Sequence, residues 1–120
     1  MKLEKLNSRG NCGIGDKGIA NLNLVELNAY NNLKIINVNH MTKLEKLDAS
    51  YNCGINDKGI ANLNLIELNA SYNPKITNVN HMTKLEKLIA CGDCGIDDRG
   101  IANLNLIKLN ASNNPKIIKR

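Results

Sequence analysis

The sequence predicts an α/β solenoid: six short parallel strands stacked side by side, each followed by a short helical or irregular return. Three observations carry this. The segment "LEKLNSRGNCGIGDKGIANLN" at Leu3 comes back as "LEKLDASYNCGINDKGIANLN" at Leu44 and as "LEKLIACGDCGIDDRGIANLN" at Leu85, a constant 41-residue period. Each period splits into a 21-residue and a 20-residue unit that open alike, with Leu-x-x-Leu-x-Ala-x-x-Asn, so units begin at Leu3, Leu24, Leu44, Leu65, Leu85 and Leu106, the last being short. Fixed periods of this kind mark a repeat array. No linker falls between the units, and residues 1–120 read as a single domain.

Within each unit the opening places apolar residues two apart, the period of a strand with one face buried. Strands are predicted near residues 5–7, 26–28, 46–48, 67–69, 87–89 and 108–110. Strands recurring in one chain direction pair in parallel and need a crossover. In the longer units "INDKGIANL" supplies it, with Asp57, like Asp16 and Asp98, as a helix N-cap and with Ile60 and Leu63 returning to the core. In the shorter units "PKITNVNHM" sets Ile76, Val79 and Met82 three apart, which fits a 3₁₀-like or irregular back. Pro74 and Pro115 start that path where no strand hydrogen bond is needed. The ninth position of each unit, Asn11, Asn32, Asn52, Asn73, Asp93 and Asn114, is expected to turn inward, where a buried amide needs partners for its donors and its acceptor.

Leu44, Leu47, Ala49, Asn52 and Ile55 in one unit, and Leu65, Leu68, Ala70, Asn73 and Ile76 in the next, resemble the leucine-rich repeat pattern Leu-x-x-Leu-x-Leu-x-x-Asn/Cys-x-Leu. The resemblance covers essentially the whole chain. It implies a right-handed parallel sheet on a concave face, short helical or 3₁₀ backs, and a ladder of asparagines bonded to neighbouring backbones. The chain departs from the pattern at the third leucine, which is Ser8, Ala29, Ala49, Ala70, Ala90 and Ala111, and this predicts a slimmer core on that row. "PKITNVNHMTK" is similar to the internalin-like subtype, and "CGINDKGIANLN" to a trimmed cysteine-containing or ribonuclease-inhibitor-like one. The richness in Asn, Lys and Ile is similar to repeat proteins of giant DNA viruses of amoebae.

A chain that is 42% hydrophobic without Phe or Trp builds its core from aliphatic layers. No apolar run approaches the roughly 20 residues that span a bilayer, and "MKLEKLNSRG" lacks the apolar stretch of a signal peptide. A cytoplasmic location is expected, which on the viral resemblance is the host-cell cytoplasm. Cys91-Gly-Asp-Cys94 has the spacing of a redox or zinc motif. Cys94, however, repeats Cys12 and Cys53 in register, and all three are expected inward while Cys91 faces out. Two rungs separate successive members, roughly 9.6 Å, beyond the roughly 7 Å that a disulfide tolerates. His40 and His81 are likewise two rungs apart and cannot share a metal ion bonded at roughly 2 Å. No serine, histidine and acid trio recurs, and no glycine loop has phosphate-cradling spacing. The expectation is no catalysis, no metal and no cofactor.

The outward strand rows read Lys5, Glu26, Lys46, Glu67, Lys87, Lys108, then Asn7, Asn28, Asp48, Asn69, Ile89, Asn110, then Arg9, Tyr30, Ser50, Ser71, Cys91, Ser112. From Glu26 to Lys108 they form the predicted partner surface. Tyr30 and the set Lys87, Ile89, Cys91 and Lys108 break its small, polar character and are expected to carry most of the contact energy. A net charge of +5 invites a polyanion reading. The basic residues of the back, Lys34, Lys75 and Lys116 with Lys17, Lys58 and Arg99, are thinly spread and the three tyrosines are scattered, which argues against nucleic acid. The expected function is a non-catalytic scaffold that binds a protein on its concave face, with a self-assembling structural array or a weak polyanion binder as alternatives. Leu3 and Leu6 at one end, and Leu106, Leu109 and Ile117 at the other, predict homo-oligomers through uncapped ends.

Overall fold

The computed structural model describes residues 3–118. The chain winds into a parallel-strand solenoid of about five turns with roughly 21-residue spacing. Its strands are β1 (Lys5–Asn7), β2 (Glu26–Asn28), β3 (Lys46–Asp48), β4 (Glu67–Asn69), β5 (Lys87–Ile89) and β6 (Lys108–Asn110). They pair in parallel in chain order, with Leu6, Leu27, Leu47, Leu68, Leu88 and Leu109 aligned in register. Each strand touches only its immediate neighbours, so stability is passed from rung to rung.

Strands this short hold because the four inner ones each have a buried leucine at the centre: Leu27, Leu47, Leu68 and Leu88 are all but fully buried. Each contributes on the order of 1.5–3 kcal/mol. The next inward residue, Ala29, Ala49, Ala70 or Ala90, is fully buried; it is the slim row that the missing third leucine predicts. Ile35, Val38 and Met41, and again Ile76, Val79 and Met82, close the core from the shorter-unit backs, while Ile55, Ile60 and Leu63 close it from a longer one. Leu6 and Leu109 pack on one side only and are half-buried.

The longer units carry the helical returns, α1 (Asp16–Ile19) and 3₁₀ turns at Lys58–Ile60 and Arg99–Ile101, whereas the shorter-unit backs are irregular. The aspartates do not cap these turns as the sequence predicts. Asp57 and Asp98 occupy the N-cap position and Asp16 is the first residue of α1, and none makes a side-chain cap bond. Their carboxylates reach across to the following rung. Asp16 accepts the Ile36 N–H at 2.8 Å, Asp57 accepts the Thr77 N–H at 2.8 Å, and Asp98 accepts the Ile118 N–H at 3.1 Å. The orphan donor of the turn is met one residue earlier, where Asn56 accepts from Gly59 and Asp97 from Gly100, both at 2.9 Å. Linking two rungs satisfies backbone donors that no helix provides for.

The asparagine row is corrected in alternate units. In every unit the residue two beyond the alanine row is left-handed, namely Gly10, Asn31, Tyr51, Tyr72, Gly92 and Asn113, with φ between 57° and 63°. In the shorter units the next residue points inward. Asn32 donates to the Ser8 and Ile14 carbonyls at 2.7 and 3.0 Å, and Asn73 to those of Ala49 and Ile55 at 2.8 and 3.0 Å. Asn114 does the same to Ala90 and Ile96, and each amide oxygen accepts the N–H two residues on. In the longer units the inward position falls one residue later, and Asn11, Asn52 and Asp93 are exposed. The inward place passes to Cys53 and Cys94, both fully buried. Both kinds of unit come back to an Ile at the twelfth position, Ile55 and Ile76 for example, so the residue that distinguishes 21 from 20 lies further on, in the back.

Candidate functional site: the outer strand face

The back of the solenoid is committed to holding itself together. Asn23 and Asn64 bridge to Thr42 and Thr83, and Asn39 and Asn80 donate to the Lys58 and Arg99 carbonyls. His40 Nε2 lies 2.9 Å from the Ile19 carbonyl oxygen and His81 Nε2 lies 3.1 Å from that of Ile60. Two lysines of the basic row are also held, with Lys75 Nζ on the Cys53 carbonyl at 3.1 Å and Lys116 Nζ on that of Cys94 at 3.4 Å. Among the described residues no group of three His, Cys, Asp or Glu side chains is placed to hold a metal ion, and no helix is long and apolar enough to cross a membrane.

The outer face of the sheet is different. An open hollow of about 500 Å³ lies over it, lined by Lys5, Glu26, Lys46, Glu67, Lys87 and Ile89 among others. The charged row runs Lys5–Glu26 at 3.7 Å, Glu26–Lys46 at 3.7 Å and Lys46–Glu67 at 3.9 Å. These pairs are largely exposed and contribute at most about 1 kcal/mol each, so the row is electrostatically balanced from β1 to β4 without being rigid. In the next row Asn28, Asp48, Asn69 and Asn110 turn a side-chain oxygen back to the N–H two residues on, at 3.0–3.1 Å. This Asx turn ends each strand. Ile89 interrupts that row and is half-buried.

The third row needs correction. Ser50 and Ser71 are buried, not outward, with small side chains bonded within the turn at Ser50 and to the next rung at Ser71. Ser50 Oγ donates to Asp48, and Ser71 Oγ accepts the Cys91 N–H at 3.0 Å. Cys91 is half-buried, with its thiol donating to Asn110 Oδ1 at 3.4 Å.

The tyrosines, read as scattered in the sequence, form a column along the rim of this face. Ring centroids of Tyr30 and Tyr51 are 4.9 Å apart, as are those of Tyr51 and Tyr72. The Arg9 guanidinium lies over the Tyr30 ring, 5.1 Å from its centroid, and the Tyr72 ring lies where a side chain on Gly92 would stand. Tyr51 and Tyr72 are 42% and 40% exposed, yet sit in the left-handed conformation that Gly or Asn takes in the other units. That conformation costs on the order of 1–2 kcal/mol for a bulky residue, comparable to what aromatic stacking returns. The Tyr51 and Tyr72 rings stack at 23°, whereas those of Tyr30 and Tyr51 are tilted at 58°. The signal for the column in the sequence is the equal 21-residue spacing of Tyr30, Tyr51 and Tyr72, which in a solenoid of that pitch puts them on adjacent turns.

Cys12, expected inward, is exposed, because no earlier rung covers it among the described residues. Burial pushes the Cys53 thiol up from its ordinary 9.0 to about 11, and burial raises Cys94 as well. Brief alkylation of the native protein is expected to label Cys12 and Cys91 well before Cys53 and Cys94, read by mass spectrometry. Equal labelling would contradict the register. The folded state holds the Cys53 proton more tightly than the unfolded chain does. The resulting stabilisation is complete below pH 9 and declines as the pH rises to about 11. Across that window wild-type stability should fall more steeply than that of Cys53→Ala.

In comparisons with protein families, curated proteins and solved structures, no family model, curated protein or solved structure matched the chain.

Proposed function

We propose that this chain is a leucine-rich-repeat-type scaffold that binds a partner protein on the outer, concave face of its sheet and carries out no chemistry of its own. One observation carries the reading: the Asp, Asn and His rows of the back are bonded within the solenoid, whereas the strand face keeps its charged row around an open hollow, with Tyr51 and Tyr72 exposed. Solenoids characteristically present such extended surfaces to partners. The repeat pattern and the Asn32, Asn73 and Asn114 ladder support the family assignment.

A photo-crosslinking residue placed at Lys46, and separately at Lys58 on the back, tests this in extracts of the source cells. The same protein should be captured from Lys46 only, and capture should fall by about tenfold or more when Tyr51 and Tyr72 are both changed to Asn, the residue found at the equivalent turns. Capture from Lys58 alone would contradict the reading.

A self-assembling array is a second reading with its own observation. A hollow of about 470 Å³ at the last described turn is lined by Ile101, Leu104, Leu106, Ile107 and Leu109, and Ile107 is 74% exposed. On this reading sedimentation shows concentration-dependent oligomers that Ile107→Lys abolishes. A monomer at all concentrations removes it.

A further inference from the structure

Resting on the scaffold reading, we infer that the β5–β6 end of the strand face is the anchor for a short acidic stretch, flanked by an apolar side chain, in an extended segment of the partner protein. The two halves of the charged row are not alike. From β1 to β4 the ammonium and carboxylate groups are paired. Lys87 and Lys108 stand in register on β5 and β6, roughly 4.8 Å apart in the sheet, and neither makes an ion pair with another described residue. Glu67, the neighbour of Lys87 on the other side, is paired with Lys46.

The chain's own repeats show that this end is a departure. Between the second and third 41-residue copies, Asp48 becomes Ile89, Ser50 becomes Cys91, Tyr51 becomes Gly92, Glu67 becomes Lys108 and Tyr72 becomes Asn113. All five lie on the strand face or its rim. Of the other changes, Asp97 holds Gly100 as Asn56 holds Gly59, Arg99 keeps the charge of Lys58, Asp93 is exposed like Asn52, and Thr77, whose hydroxyl bonds Asp57, becomes the exposed Ile118. The altered corner therefore gathers two unpaired cations, one apolar floor residue and the Tyr72 ring leaning over Gly92 as a side wall. Charge complementarity selects an anionic occupant. Its anionic part is short, because Glu26, Asp48 and Glu67 on the same face repel a uniform polyanion beyond these two rungs.

The probe is a fluorescein-labelled dodecapeptide of Glu-Glu-Leu units, with its Lys-Lys-Leu counterpart and a single-stranded DNA dodecamer as comparisons, read by fluorescence anisotropy. The acidic peptide should bind and the basic one should not. Lys87→Glu with Lys108→Glu should weaken binding by about tenfold or more, whereas Lys34→Glu with Lys58→Glu on the back leaves it unchanged. Lys108→Glu alone installs the residue that Glu26 and Glu67 provide in equivalent rungs, so the fold tolerates it, and it should still weaken binding several-fold. Slow alkylation of Cys53 and Cys94 confirms that each variant is folded. Absence of binding, binding indifferent to Lys87 and Lys108, or tighter binding of the DNA with the same dependence on these lysines would each overturn the inference. Partner capture at Lys46 that persists in the double variant would overturn it while leaving the scaffold reading intact.

Discussion

Asn73→Ala is expected to destabilise the chain by about 2–4 kcal/mol, while Asn52→Ala, at the same count from its unit's first leucine, changes stability by less than about 0.5 kcal/mol. The Asn73 amide makes three bonds inside the core. It donates to the Ala49 and Ile55 carbonyls at 2.8 and 3.0 Å and accepts the Lys75 N–H at 3.0 Å. The residue is fully buried, so truncation strands the buried Ala49 and Ile55 carbonyls, each worth about 1–3 kcal/mol before relaxation, and removes the part-buried bond to Lys75. Asn52 is exposed, and its backbone N–H, which bonds Asn31 at 3.3 Å, survives the change. Urea titration of both variants decides the matter. Similar midpoints would show that the inward place does not alternate between Asn and Cys.

The second large effect falls on the returns of the longer units. Gly59→Ala and Gly100→Ala should each lose about 2–4 kcal/mol, with Gly18→Ala neutral or slightly stabilising. A β-carbon on Gly59 would sit on the Ile36 carbonyl oxygen, and one on Gly100 on that of Thr77. The obstacle is backbone, which cannot rotate away. The same two glycines accept the Val38 and Val79 N–H groups at 3.0 and 2.9 Å, and these are the bonds a forced separation would break. Gly18 is the equivalent residue of the first unit, and a β-carbon there meets only the Ile14 Cγ2 at 3.4 Å. Thermal unfolding of the three variants separates close stacking of turns from a general dislike of substitution at glycine.

The strand positions were legible because Leu-x-x-Leu-x-Ala repeats without a gap and a strand's period of two is unambiguous once one face is apolar. The helical character of the longer returns was legible from "DKGIANL". What counting along each unit missed is the turn after the strand. Whether the next side chain points in depends on the path the chain takes from the left-handed residue to the isoleucine four residues on, and a shift of one residue along that path turns Asn11, Asn52 and Asp93 out and Cys53 and Cys94 in. The recurrence of Cys at the tenth position of the longer units was the sign of this in the sequence. Ser50 and Ser71 were misread for a related reason, since strand alternation does not extend into an Asx turn. The tyrosine column was hidden because Tyr30 occupies the seventh position and Tyr51 and Tyr72 the eighth of their units, and only their equal spacing along the chain joins them. The aspartates were assigned to the wrong donors because a cap motif looks only along its own segment, and a solenoid offers donors one rung away.

The central claim is that a partner engages the strand face and leaves the back in water. Hydroxyl-radical footprinting of the chain, alone and bound to the protein captured through Lys46, tests it most directly. Oxidation of Tyr51, Tyr72, Ile89 and Cys91 should fall in the complex, while that of the exposed back residues Ile36, His40 and His81 stays unchanged. Protection of Ile36, His40 and His81 with the tyrosines still fully reactive would contradict it.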